Sequence, residues 1–150
     1  MAGTFANILL HVIFSTKNRV TAIKPDLHDR LCAFVGGIVR DEHGVLLCAG
    51  GTPDHLHLLM RWRTDATVAD LLRNVKARSS KWLHETVPDQ GDFVWQAGYG
   101  VFSVSQSQCD AVRRYIGDQT GHHRSKTFQE EFVAFLKAHE IEYDERYSWE

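Results

Sequence analysis

The chain has 150 residues, of which 43% are hydrophobic and 24% charged, with 17 basic against 19 acidic side chains and three prolines. This length fits one domain spanning residues 1–150 with a single core and excludes two full domains. No stretch reaches the roughly 20 apolar residues of a membrane helix.

The most apolar run, Phe5 to Phe14, is interrupted by Asn7 and His11. A basic leader with a small-residue cleavage site is also missing, so no signal peptide and no membrane partner are expected and a cytoplasmic location follows. Cys32, Cys48 and Cys109 are odd in number and include no Cys-x-x-Cys pair, which argues against a disulfide framework and against a thiolate zinc site. The formal net charge of −2 is unevenly spread. Thr127 to Glu150 carries two basic and seven acidic residues, which leaves 15 basic against 12 acidic for Met1 to Lys126. An acidic tail masks a mildly basic body that permits nucleic-acid binding without requiring it.

Ile8 to Ser15 reads as a buried strand. Pro25 to Arg40 places Leu27, Leu31, Phe34, Val35 and Ile38 at helical spacing, with Pro25 suited to the first turn and Gly44 lying beyond the end. Val45 to Cys48 and His55 to Trp62 read as two strands joined by Gly50, Gly51, Thr52 and Pro53, a hairpin signal. From Val68 to His84, Val68, Leu71, Leu72, Val75, Trp82 and Leu83 fall in one helical arc, and Arg73, Lys76, Arg78 and Lys81 lie outside it. Phe93 to Gln96 and Tyr99 to Val104 read as short strands. Ser105 is placed to cap a helix running through Tyr115 to about His122, and Thr127 with Glu130 forms a capping box for a last helix. The predicted fold is α+β: a ferredoxin-like split βαβ sandwich, an antiparallel sheet with helices on one face, plus an appended tyrosine-bearing helix and a C-terminal helix. Such a fold hosts many functions, so function rests on the residues it carries.

The segment Pro53, Asp54, His55, Leu56, His57, Leu58 is the most informative. In a strand His55 and His57 share a face, about 6 to 7 Å apart at Cα, a spacing from which both imidazoles can reach one metal ion. The same pattern also suits two histidines on the solvent side of a half-buried strand. Tyr115 and Gln119 are four apart, so a helix stacks a phenol beside an amide oxygen.

These residues resemble those of a known family. The Asp54, His55, Leu56, His57, Leu58 run, Ser79, Ser80, Lys81, Trp82, the Trp95, Gln96, Gly98, Tyr99, Gly100, Phe102 stretch, Tyr115, Ile116, Gln119, His122, His123, and the ending from Ile141 to Tyr147 are similar to the IS200-like single-tyrosine transposases, within the HUH nucleases. The resemblance implies a ferredoxin-like dimer with His55, His57 and Gln119 holding a metal and Tyr115 as the catalytic nucleophile. It implies cleavage and rejoining of single-stranded DNA at hairpin-bearing ends through a 5′-phosphotyrosine, by a mobile-element enzyme or a domesticated relative. It further implies a homodimer with shared active sites, Tyr115 and Gln119 coming from one protomer and His55 and His57 from the other. Two imidazoles and an amide oxygen make a neutral donor set that suits Mn²⁺ and tolerates Mg²⁺; rejoining through a covalent link needs no nucleotide cofactor. His122, three residues beyond Gln119, could support the ligands from behind. Gly117 and Gly121 soften the tyrosine helix, and no general base for Tyr115 is identifiable. Arg73, Lys76, Arg78 and Lys81 are the candidate DNA-binding face.

Two other readings compete. A non-catalytic single-stranded nucleic-acid-binding module is suggested by Gly98, Tyr99, Gly100, Val101, Phe102, but in a strand Tyr99 and Phe102 would face opposite ways and could not stack successive bases together. A metal-dependent hydrolase would use His55 and His57 with a water nucleophile, leaving Tyr115 incidental.

Overall fold

The computed structural model describes residues 3–119 and 126–144. Four strands, β1 (Ile8–Ser15), β2 (Val45–Thr52), β3 (His55–Trp62) and β4 (Gly100–Val104), form one sheet in the order β2-β3-β1-β4, antiparallel throughout. Helices α1 (Pro25–Asp41) and α2 (Val68–Thr86) supply the two crossovers of the split βαβ arrangement, and α3 (Cys109–Gly117) and α4 (Phe128–Ala138) follow β4. The sheet is covered on both sides. Val12, Phe14, Leu56, Leu58, Met60 and Trp62 pack against α1 and α2 in the main core. On the other face Leu9 and Leu59 meet Cys109 and Ile116 of α3, and Ile13 and Phe102 meet Phe128, Phe132 and Leu136 of α4.

The helices form where apolar spacing and caps coincide. Pro25 occupies the first turn of α1, whose buried side is Leu27, Leu31, Val35, Ile38 and Val39. The Thr67 side chain caps α2 by accepting from the Asp70 amide, and Thr127 caps α4 by accepting from the Glu130 amide at 3.2 Å.

Four boundaries differ from expectation. The tyrosine helix α3 ends at Gly117, where Asp118 leaves helical geometry, and does not run on to about His122 as one helix. β2 continues through Gly50, Gly51 and Thr52, which pair with His57, Leu56 and His55, so only Pro53 and Asp54 are left to make the turn. Phe93 to Gln96 is not a strand: it makes a single bridge between Trp95 and Thr16, and its position is set by aromatic packing of Phe93 and Trp95 with Phe14. Ser105 does not cap α3, because a 3₁₀ turn at Gln106–Gln108 intervenes and the Ser105 hydroxyl meets that of Ser107 instead. Among the described residues no helix is long and apolar enough to cross a membrane.

Leu58 lies at the centre of the sheet and is fully buried, whereas Val45 at the sheet edge is 48% exposed. Leu58→Ala is therefore expected to cost about 2 to 5 kcal/mol of stability in urea unfolding, and Val45→Ala to stay within about 0.5 kcal/mol.

Candidate active site

Alternation along β3 sends Leu56, Leu58 and Met60 into the core beneath α1 and α2 and turns His55 and His57 to the opposite face. Both rings are fully buried there, so each nitrogen needs a partner. At His55, Nδ1 donates to Asp54 Oδ1 at 2.7 Å, and the Thr52 hydroxyl donates to the same oxygen at 2.8 Å. The two-residue turn thus supplies the carboxylate that orients the first ring. At His57, Nδ1 meets Nε2 of His11 at 2.8 Å. His11 is on β1, diagonally across from His57; burial, with His57 beside it, holds its pKa down at about 3. It is a neutral ring that can donate or accept through that nitrogen. Both site histidines are pinned through Nδ1 and present Nε2 to the same point.

Gln119 and Glu131 meet them there, and Tyr115 reaches Glu131. Gln119, just past the end of α3, brings Oε1 to 3.2 Å from His55 Nε2. Glu131, on α4, places Oε1 at 2.9 Å from His57 Nε2 and 3.5 Å from His55 Nε2. Its other oxygen accepts a short hydrogen bond from the Tyr115 hydroxyl. Burial favours a neutral His55, but hydrogen bonds to Asp54 and Glu131 prevail and raise its pKa to about 9. Burial likewise favours a protonated Glu131, and the hydrogen bonds from His55 and His57 hold its carboxyl well below the usual range. Burial and the bond to Glu131 push the Tyr115 phenol above its ordinary value. In this arrangement the tyrosine is held protonated.

The ligand atoms of His55, His57 and Glu131 lie within 4.8 Å of one another, with Gln119 Oε1 beside them. Two oriented imidazoles, a carboxylate and an amide oxygen form a mixed donor set of the kind that takes Mn²⁺ or Mg²⁺. The four residues expected at the site, His55, His57, Tyr115 and Gln119, are thus brought together, but the donor set is not neutral. Glu131, counted above with the acidic tail, is 2% exposed. Its position three residues after Phe128 and four before Phe135 puts it on the apolar face of α4, the signal by which it could have been found. His11 was also missed; its only signal is a polar residue within an otherwise apolar strand. His122 lies outside the described residues.

The resemblance implied shared sites, whereas here Tyr115 and Gln119 reach His55 and His57 of their own chain. The expected basic face also divides. Arg73, Arg78 and Lys81 are exposed and pair with Asp70, Asp41 and Glu85 at 3.0, 3.2 and 3.9 Å. Lys76 turns inward. Its ammonium donates to the carbonyls of Gln96 and Gly98 at 2.9 and 2.5 Å and lies over the rings of Phe14 and Tyr99, and burial lowers its pKa to about 8. It clamps the loop before β4. Phe102 faces α4 and Tyr99 faces the main core, as the strand alternation required.

α4 closes the site. The Phe128 ring lies 4.8 Å from that of His55, and Phe135 lies 5.1 Å from His11 and 5.7 Å from Tyr115. With the helix in this position both histidine rings are buried and the Glu131 carboxylate occupies the space beside their Nε2 atoms.

Fold and site together define a ferredoxin-like domain that sets a tyrosine hydroxyl beside a candidate cation pocket. The family model described as "Transposase IS200 like" matches residues 4–119, and the chain belongs to that family. ISDra2 transposase TnpA of Deinococcus radiodurans is 22% identical over 114 residues, covering 73% of this chain and 81% of the relative. A solved Deinococcus radiodurans protein assigned as a transposase superposes with a TM-score of 0.64 at 22% identity, over 79% of this chain and 95% of that one. A REP-associated tyrosine transposase bound to a REP hairpin gives a TM-score of 0.61 at 13% identity, over 82% and 74%.

If the Nδ1 partners orient the ligands, removing them should weaken the metal without touching it. Asp54→Ala and His11→Phe are each expected to lower Mn²⁺ affinity about 10- to 100-fold by titration calorimetry. Because a ligand nitrogen must lose its proton to bind, wild-type affinity should rise with pH until His55 has titrated at about 9.

Proposed function

We propose that this protein cleaves and rejoins single-stranded DNA at hairpin-bearing element ends, with Tyr115 as nucleophile and a divalent metal, Mn²⁺ or Mg²⁺, at His55, His57 and Gln119. The observation that carries the reading is the convergence on one carboxylate: Glu131 touches Nε2 of both histidines through one oxygen and the Tyr115 hydroxyl through the other. Nucleophile and cation donors are therefore one carboxyl group apart.

In the reaction the Tyr115 oxygen bonds to phosphorus and the bond to the 3′ oxygen breaks, giving a 5′-phosphotyrosine and a free 3′-hydroxyl. Rejoining is the reverse attack by a 3′-hydroxyl, so bond energy is conserved and no nucleotide cofactor is consumed. A bound metal ion would polarise the scissile phosphate and stabilise the departing oxygen. His55 and His57 are held ready for it by Asp54 and His11. Gln119 ties the ligand set to the tyrosine helix, since its amide also donates to the Tyr115 carbonyl at 3.3 Å.

The test is incubation with single-stranded hairpin oligonucleotides and Mn²⁺, followed by denaturing gels. Wild type should form a covalent adduct and Tyr115→Phe none, whereas a hydrolase with a water nucleophile would cleave in both. His57→Ala should lose cleavage while keeping hairpin affinity within about threefold, because phosphate contacts dominate binding. Mixing Tyr115→Phe with His57→Ala should restore nothing if each site is built within one chain; recovery would mean that protomers of a homodimer exchange α3.

The exposed cations give a separate expectation. Their ion pairs with surface carboxylates are worth only about 0 to 1 kcal/mol, so a phosphate can replace them. Arg73→Ala should weaken DNA binding and reduce the salt slope by about 1. Lys76→Ala should leave the slope unchanged and lower the melting temperature, because it removes a loop clamp.

A further inference from the structure

Glycine is a poor strand residue, and Gly50 lies within β2, paired with His57. Backbone freedom does not explain it, since among the described residues no glycine has a positive φ. A close approach does. A Cβ at position 50 would lie 2.6 Å from the carbonyl oxygen of Ile116 and 2.9 Å from its Cγ2. Ile116 directly follows Tyr115 in the last turn of α3.

We infer that Gly50 is a positioning residue for Tyr115, its missing side chain letting the tyrosine helix seat on β2 beside the paired histidines. The inference rests on Tyr115 being the nucleophile. The seat has two further anchors. Arg113 donates to the Leu47 carbonyl of the same strand at 3.1 Å, and Ile116, 1% exposed, packs with Leu9, Leu59 and Cys109. α3 is thereby fixed to the sheet along its length. The 5.9 Å between the ring centres of Tyr115 and His57 follows from this seat. The obstacle a methyl group would meet is a backbone carbonyl, which cannot rotate aside. α3 would have to retreat by roughly 0.8 Å to restore ordinary contact, and misplacement on that scale can cost about 100-fold in rate.

The test compares wild type, Gly50→Ala and the double variant Gly50→Ala/Ile116→Ala. For Gly50→Ala, the rate of adduct formation at saturating hairpin DNA and saturating Mn²⁺ should fall about 10- to 100-fold, with hairpin affinity unchanged. Amides of residues 113–119 should exchange faster while those of β2 and β3 keep their protection. The double variant, which leaves the carbonyl obstacle and also removes the Ile116 anchor, should recover none of the rate, and recovery would overturn the inference. An unchanged rate or unchanged exchange in α3 would overturn the inference. So would loss of protection across β2 and β3, which would assign Gly50 to the sheet itself. If wild type forms no adduct, the nucleophile reading fails, and the exchange of residues 113–119 still decides whether Gly50 seats the helix.

Discussion

Two imidazoles buried side by side on a sheet face present four ring nitrogens that water cannot reach, and an unpaired buried polar group costs about 1 to 3 kcal/mol. The chain meets this demand from four directions. Asp54 in the turn and His11 on the neighbouring strand take the Nδ1 atoms, and Gln119 and Glu131 from the two appended helices meet Nε2. The turn, the neighbouring strand and the packing of α3 and α4 all serve this buried pair. That α1 and α2 take no part in it explains how one face of the sheet can be an ordinary apolar core while the other is a polar site.

Much of this was legible in the sequence because it depends on local spacing. The period-2 alternation from His55 to Met60 placed both histidines on one face, and the spacing of Tyr115 and Gln119 placed them together near the end of α3. The order of elements was readable from the hydrophobic periods of β1, α1 and α2. The residues that escaped notice are those whose role depends on distant partners. Glu131 has meaning only once α4 folds across β3, 74 residues away in sequence. His11 becomes a ligand support only when β1 pairs with β3. Lys76 fell on the outer arc of α2 by angle alone, but its long side chain reaches back to the carbonyls of the 96–98 loop. The extension of β2 through two glycines ran against strand propensity and was set by pairing with β3.

Gly50 and Gly100 give the site face a common construction rule. At Gly100 a Cβ would come 2.5 Å from the Phe132 ring of α4, as one at Gly50 would meet α3. One glycine on each flanking strand lowers the sheet surface at the point where a helix lands, so the two appended helices come close enough for Tyr115 and Glu131 to meet.

The cover that α4 forms over the histidines makes access to them an equilibrium of its own. A ligand that must enter the pocket competes with the Glu131 carboxylate and with the phenylalanines above it, so its apparent affinity is the intrinsic one reduced by the fraction of molecules in which the helix has lifted. Each 1.4 kcal/mol of α4 docking lowers that fraction about tenfold, whereas contacts on the outer face of α2 are indifferent to it. Under the proposed function, substitutions along the buried face of α4 would thus tune access to Tyr115 and the histidines without altering contacts made on the outer face of α2.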